Sequence, residues 1–367
     1  MENLVMSADF WKGKRVFLTG HTGFKGSWMA LWLKKLGATV TGFALSPDTQ
    51  PSLFSEIEKE LGIKSVIGDI CDFELLNKTM RESNPEIIFH MAAQPLVRYS
   101  YDYPLETFQT NIMGTANLLE AARHLKDLKS IVVITTDKVY ENAEWAWSYR
   151  ENDVLGGHDP YSSSKACAEI VTTAMRKSFF SKPGSPGLAT VRAGNVIGGG
   201  DWALDRIVPD VMGAFQKSQI VKLRNPKAIR PWQHVLEPLG GYLALGQKLF
   251  SEPPQKRASV YSSAWNFGPY ADNAVTVGEL VTLLSAHWPG GKWEVDQGQH
   301  PHEAFYLKLD SSKAKHHLGW HSLLNIQRTA QMTVDWYRHF FNKESSAFDL
   351  CNKQIEEYSK ELNHVAK

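Results

Sequence analysis

Residues 15–27 read Arg-Val-Phe-Leu-Thr-Gly-His-Thr-Gly-Phe-Lys-Gly-Ser. Arg15–Thr19 is a short apolar run, the pattern of a strand buried on both faces. From Trp28 to Leu36 the apolar residues recur at helical spacing. Gly20, Gly23 and Gly26 lie between them, so a strand, a tight turn and a helix follow one another. Glycine allows the turn and a close approach of backbone to a ligand, and a helix N-terminus favours a phosphate's charge. A plain strand-to-helix turn does not need three glycines at this spacing. The segment is read as a pyrophosphate cradle.

The same texture continues outward. Thr39–Leu45, Ser65–Ile67, Ile87–Met91, Ile131–Thr135 and Ala189–Arg192 read as further strands. Helical patterns such as Thr115–Leu125 and Ser162–Ser178 lie between them. Alternating strands and helices predict an α/β fold, a Rossmann-type doubly wound parallel sheet covered on both faces. After Asn195 the loops lengthen and gain Pro and Trp. This predicts a first domain over 1–195 and a smaller C-terminal substrate lobe over 196–367. Val235–Phe250 (helix) and Ala264–Phe267 (strand) fall in a segment, about 231–270, expected to return to the first domain.

Composition narrows the function classes. The chain has 367 residues, 43% of them hydrophobic, and a formal net charge of +1. Its scattered basic residues argue against nucleic-acid binding, which concentrates Lys and Arg on one face. The apolar runs are strand-length, and no membrane partner is expected. Met1–Trp11 carries acidic residues and no basic-then-apolar signal pattern. Cys71, Cys167 and Cys351 are far apart and odd in number, so neither a disulfide framework nor a metal set is indicated. A cytoplasmic location is expected. No role follows from the twelve Trp.

The Gly-x-x-Gly-x-x-Gly spacing resembles the short-chain dehydrogenase superfamily. Asp69-Ile70 follows the third strand, where that superfamily reads the adenine. Met91-Ala92-Ala93 ends the fourth, where its backbone runs along the cofactor, and Asn111 matches a structural Asn of the extended members. The resemblance implies a nicotinamide cofactor held by Gly20, Thr22, Gly23, Phe24, Lys25, Gly26, Asp69, Ile70, Ala92 and Ala93, with Tyr161 and Lys165. One position departs from the pattern. An acidic residue is expected after the second strand to hold the ribose hydroxyls, but Phe43-Ala44-Leu45-Ser46 stands there and Asp48 comes later. No Arg replaces it to clamp a 2′-phosphate, so NAD is expected over NADP, with weak adenosine-side binding.

Tyr161-Ser-Ser-Ser-Lys165 puts two polar side chains on one helical face. A phenol near its reference pKa of ~10 is a poor base at neutral pH, and a nearby cation favours the phenolate. Thr136, at the end of the fifth strand, completes the triad of the extended members. The pair that follows, Asp137-Lys138, stands where dTDP-sugar dehydratases have Asp-Glu. Asp-Lys-Val-Tyr resembles the CDP-glucose 4,6-dehydratases. So do His21–Ser27, Ala93–Arg98, Arg192–Trp202, Arg230–Val235 and His300–Ala304.

That resemblance spans nearly the whole chain. It implies a CDP-glucose substrate, C4 oxidation aided by Tyr161, elimination of water across C5 and C6 with Asp137 as acid, and hydride return to C6. Two roles stay open to Lys138: a neutral base at C5, if burial and Lys165 lower its pKa, or a charged stabiliser of the enolate. Glu141 is a competing base. The resemblance also assigns Asn195, Arg206 and Arg230 to the nucleotide diphosphate, with Arg98 and His302 as weaker candidates. It implies a homodimer through the helices near Thr115–Leu125 and Ser162–Ser178. The histidines at 300, 302, 316 and 317 fit no metal-ligand spacing. Competing readings are a nucleotide-sugar epimerase or decarboxylase, which needs no acid and base at 137 and 138, and an NAD-sensing binding protein, whose kind usually lacks the Tyr or the Lys.

Overall fold

The computed structural model describes residues 8–269, 274–298 and 307–365. Its central sheet has seven strands: β1 (Arg15–Thr19), β2 (Thr39–Ala44), β3 (Lys64–Ile67), β4 (Ile87–His90), β5 (Ser130–Ile134), β6 (Gly187–Arg192) and β7 (Ala264–Asn266). Their spatial order is β7-β6-β5-β4-β1-β2-β3, and every pairing is parallel. The order reverses between β1 and β4, which opens a crevice at their carboxyl ends where such sheets take ligands. β7 comes from the second half of the chain and pairs with β6.

The strands read as continuous apolar runs because both faces are covered. Val16 and Leu18 of β1, Ile87 and Phe89 of β4, and Val132 and Ile134 of β5 belong to one core cluster. The alternate residues Phe17, Ile88, Ile131 and Val133 belong to another on the opposite face. Tryptophan fills the first layer. Trp11, Trp28, Trp32, Trp265, Trp320 and Trp336 are fully buried, half of the twelve in the chain. Four of them place their indole N–H on a partner: Trp28 on Gly199 O, Trp265 on Tyr261 O, Trp320 on Glu237 O and Trp336 on Cys351 Sγ. This is the usual requirement for a buried indole. Among the described residues no helix is long and apolar enough to cross a membrane.

Helix Leu236–Ser251 carries a buried acid, Glu237. Its Oε1 accepts the N–H groups of Leu323 (2.8 Å) and Leu324 (2.6 Å), and its Oε2 accepts the Tyr358 hydroxyl (3.0 Å). It ties the C-terminal helices to the sheet layer. Burial pushes its carboxyl up from 4.5 to about 7. Between those values the folded state holds more protons than the unfolded chain, so this group's stabilisation is full below about 4.5 and is lost as pH rises through 7. At about 1.4 kcal/mol per pH unit, the effect is at most about 3–4 kcal/mol. Buried His21, His90 and His234 are held neutral, with pKa values lowered to about 4, 3 and 3. They act in the opposite sense, because the unfolded chain binds protons there that the folded chain refuses. The difference in melting temperature between wild type and Glu237→Gln therefore isolates the acid. It is expected to shift in favour of the variant as pH rises from 5 to 8 (scanning calorimetry); a pH-independent difference contradicts the assignment.

Candidate active site

The glycine turn is built as a cradle. Gly20 has φ +76°, and a Cβ there would lie 2.7 Å from the Ala92 nitrogen. A Cβ on Gly26 would overlap the Gly20 carbonyl oxygen. The helix that follows, Phe24–Lys35, has Gly23 at its N-cap and no side chain capping it, so its first N–H groups face the crevice. Thr19 fixes the floor. Its Oγ1 accepts the N–H groups of Met91 and Ala92, both at 3.1 Å, and pairs with His90 Nδ1 at 2.8 Å. The sequence-predicted Gly20, Gly23, Gly26, Ala92 and Ala93 thus converge at the switch point. Thr22 turns aside and donates to Leu45 O (2.8 Å). Phe24 packs toward Gly198. Ile70 is buried, while Asp69 is exposed and its Oδ1 accepts the Cys71 N–H (2.8 Å). At the end of β2 Leu45 is exposed. Asp48 interacts with Arg206 instead.

The catalytic helix, Pro160–Phe179, starts where its cap dictates. Asp159 Oδ1 accepts the Ser162 N–H (2.9 Å), Oδ2 accepts the Ser162 hydroxyl (2.6 Å), and Pro160 occupies the first turn. Tyr161 is thereby held at the helix mouth, its N–H on Ser100 Oγ at 3.1 Å. Asn111 Nδ2 donates to Ser164 Oγ (2.8 Å) and to Gln94 O (3.1 Å), which binds this helix to the cofactor loop. Burial pushes the Tyr161 phenol up to about 12; the Thr136 hydroxyl and Arg206 pull it down and Asp137 raises it. Lys165, buried, donates from Nζ to Ile134 O at 2.9 Å. Arg206 thus also lies within electrostatic reach of the phenol. Burial and the neighbouring Lys25 lower Lys165 to about 8.

Thr136 caps the short turn Asp137–Val139. Its hydroxyl donates to Asp137 Oδ1 at 3.0 Å, while Asp137 Oδ2 is buried with no hydrogen-bond partner among the described residues. Burial raises this carboxyl, against the pull of Lys138 and Arg230. A Cβ at Gly194 would overlap Asp137 Oδ2, so glycine is required there. A buried acid that resists ionisation is suited to donating a proton. Lys138 is exposed, and so is Glu141. The fold alone does not supply the burial that a neutral Lys138 requires.

Lys25, expected at the cofactor, follows the cradle on the helix that begins at Phe24. Burial lowers its ammonium to about 8, with Arg206 lowering it further and Asp137 raising it. Arg206 Nη1 pairs with Asp201 Oδ2 at 3.0 Å. Arg230 and Lys25 thus act on Asp137, and Arg206 on Tyr161, with positive charge. Asn195 is half-buried at φ +40°, and its carbonyl accepts the Gln233 N–H. Arg98 stands apart, exposed and paired with Asp205 at 2.8 Å. His302 lies outside the described residues. A cleft of about 690 Å³ elsewhere is lined by Pro51, Trp202, Met212 and Phe340, and no catalytic candidate borders it.

A parallel sheet with this strand order, a glycine cradle at its switch point, and a Tyr and Lys on the helix after β5 define an extended short-chain dehydrogenase/reductase. The family model described as GDP-mannose 4,6 dehydratase matches residues 17–333, and the chain belongs to that family. It is 50% identical over 360 residues to the CDP-glucose 4,6-dehydratase of Salmonella typhimurium, covering 96% of this chain and 98% of the relative. Among solved structures it resembles the NAD complex of dTDP-glucose 4,6-dehydratase from Bacillus anthracis (TM-score 0.74, 21% identity, 90% of this chain and 98% of that one). It also resembles UDP-glucose 4-epimerase from Thermotoga maritima (TM-score 0.74, 21% identity, 88% and 98%).

Proposed function

We propose that this chain is an NAD-dependent hydro-lyase that converts CDP-glucose to CDP-4-keto-6-deoxyglucose. The observation that carries this reading is Asp137: a buried carboxyl with one free oxygen, one residue past Thr136 and in electrostatic reach of Tyr161. An epimerase has no use for an acid there. The 50% identity to a CDP-glucose 4,6-dehydratase supports the substrate.

The cradle described fits NAD, which when bound would supply a hydride acceptor for C4 and a hydride donor for C6. The glycine turn and the open helix N-terminus hold its pyrophosphate. Tyr161 takes the proton of the 4-hydroxyl, and the ammonium of Lys165, one helical turn on, favours the phenolate. The 4-keto group then makes the C5 proton acidic. Lys138 removes it, desolvated by the bound sugar, as Asp137 protonates the departing 6-hydroxyl to release water. The proton on Lys138 returns to C5 when C6 is reduced. Arg206, Arg230 and Asn195 bind the substrate diphosphate, where an Arg fork matches phosphate oxygens; Arg98 and His302 are secondary candidates for contact with the substrate. The C-terminal lobe, 196–367, holds most of the nucleotide sugar as a second domain.

The test is incubation with CDP-, dTDP-, UDP- and GDP-glucose: a product lighter by one water is expected with CDP-glucose foremost. Titration calorimetry is expected to show NAD binding that is modest in affinity, given exposed Leu45 where an acid would hold the ribose. Tight NADP binding without NAD binding contradicts this.

The assembly is a homodimer on this reading. Leu105 and Met113 on the segments Pro104–Phe108 and Gln109–Met113, and Ile170 and Phe179 on the catalytic helix, are exposed apolar residues on elements packed against one another. Such a patch marks an association surface. Light scattering is expected to give twice the 41.3 kDa chain mass. Leu105→Glu with Ile170→Glu is expected to halve it; a wild-type monomer at micromolar concentration contradicts the dimer.

A further inference from the structure

Behind the catalytic groups lies a buried ion pair that the chemistry does not use. Arg192 ends β6, and Glu169 lies one helical turn beyond Lys165 on the catalytic helix; their side chains are 3% and 2% exposed. Arg192 Nε and Nη2 donate to the two Glu169 oxygens, each at 2.9 Å. Glu169 also accepts the hydroxyls of Thr135 and Thr190, each at 2.6 Å. Thr135 immediately precedes Thr136. The carboxylate thus locks the helix bearing Tyr161 and Lys165 onto the strand end bearing Thr136.

The third guanidinium nitrogen points elsewhere. Arg192 Nη1 donates to the Tyr140 hydroxyl at 2.7 Å and to Glu151 O at 3.1 Å. The Tyr140 hydroxyl in turn donates to Asn266 Oδ1 at 2.7 Å. Tyr140 directly follows the turn Asp137–Val139. Its ring is held on one side by the Arg192 guanidinium, 4.9 Å from the centroid. It also stacks on Tyr149 at 5.0 Å, Tyr149 on Trp145 at 5.1 Å, and Trp145 against Trp147 at 5.0 Å. One guanidinium therefore anchors two segments: the helix with the redox pair, through Glu169, and the turn with the elimination pair, through Tyr140.

A buried ion pair is seldom better for stability than apolar residues of the same volume. What an Arg fork adds is direction, since its donors are fixed in one plane. We propose that Arg192 and Tyr140 are positioning residues that set Asp137 and Lys138 against the sugar held by Tyr161. This rests on the dehydratase reading. Neither residue touches substrate or cofactor in this role; they act through the Asp137–Val139 turn.

The test separates the two chemical stages. Tyr140→Phe removes one hydroxyl and leaves the Arg192–Glu169 pair and the aromatic stack in place. In single turnovers with CDP-glucose, C4 oxidation, read as the absorbance of reduced cofactor, is expected to stay within about twofold of wild type. Decay of that absorbance and release of water are expected to slow about tenfold or more, within the span a positioned acid or base contributes. The 4-keto hexose should accumulate. NAD affinity, measured by calorimetry, is expected to change little, while the melting temperature falls modestly because buried Asn266 Oδ1 loses its donor. Arg192→Lys keeps a cation for Glu169 but cannot reach Tyr140 as well, and is expected to shift the same partition; it serves if Tyr140→Phe does not fold. Equal slowing of both stages, or no slowing of elimination in a folded variant, overturns the proposal. The wild-type arm is separate: a wild type that oxidises C4 but never releases water refutes the dehydratase reading itself.

Discussion

Tyr161→Phe is expected to lower turnover by about 10²–10⁴-fold, the usual contribution of a positioned acid–base group, with little change in affinity for the nucleotide sugar. The ring is held by the helix mouth: its N–H sits on Ser100 Oγ, and the Asp159 cap fixes the turn that carries it. Removing the hydroxyl leaves that packing intact. Burial keeps the phenol near 12, so the neutral form dominates at pH 7. The proton-accepting form therefore grows as pH rises, and the oxidation stage is expected to quicken on the alkaline side in wild type. Above about 8 Lys165 loses its charge, which bends that rise. The rising limb should vanish in the Phe variant. Stopped-flow absorbance of the reduced cofactor across pH reads both effects. Near-wild-type turnover in the variant means that Tyr161 is structural.

The second large effect falls after oxidation. Asp137→Asn and Lys138→Met are both expected to abolish formation of the 4-keto-6-deoxy sugar while C4 oxidation persists. The Asn side chain keeps the size of the acid and its contact with Thr136 but cannot supply a proton to the leaving hydroxyl. Met keeps approximately the reach of Lys138 without the amine. In deuterated water the trapped 4-keto sugar should still exchange its C5 proton in the Asp137 variant and should stop doing so in the Lys138 variant. Magnetic resonance of the bound sugar distinguishes them. Normal exchange in Lys138→Met moves the base to exposed Glu141 or to a water.

The strand–helix framework was legible because its physics is local. β1, β4 and β5 are covered on both faces, so each appears as an unbroken apolar run, and the glycines at 20, 23 and 26 mark the turn that a cradle requires. Strand ends agree with the sequence pattern within about two residues, but the first long helix begins at Phe24, four residues before the apolar pattern shows it, and the helix read as Thr115–Leu125 ends at Ala122. The Asp159-Pro160 cap gives the catalytic helix a start that sequence alone places near Ser162. What sequence did not reveal is tertiary. Glu169 and Arg192 are 23 residues apart and meet only because β6 lies under the catalytic helix. The i+4 step from Lys165 to Glu169 was a signal available in the sequence. Tyr140 stood inside the Asp-Lys-Val-Tyr segment, but nothing local shows that its hydroxyl meets Arg192. The glycine loop places Lys25 at the cofactor; that its charge is also felt by Lys165 and Asp137 depends on how the helix sits over the crevice. The role of Lys138 was left open by the sequence because exposure is a property of the fold.

The central claim is internal redox around an elimination, and one labelled substrate tests it most directly. CDP-glucose carrying deuterium at C4 is incubated with the enzyme and NAD in ordinary water, and the product is analysed by mass and magnetic resonance. The account predicts a 4-keto-6-deoxy sugar lighter by the elements of one water, with the deuterium retained and moved to C6. A product of unchanged mass with deuterium still at C4, as an epimerase would leave it, or loss of the label to solvent, contradicts it.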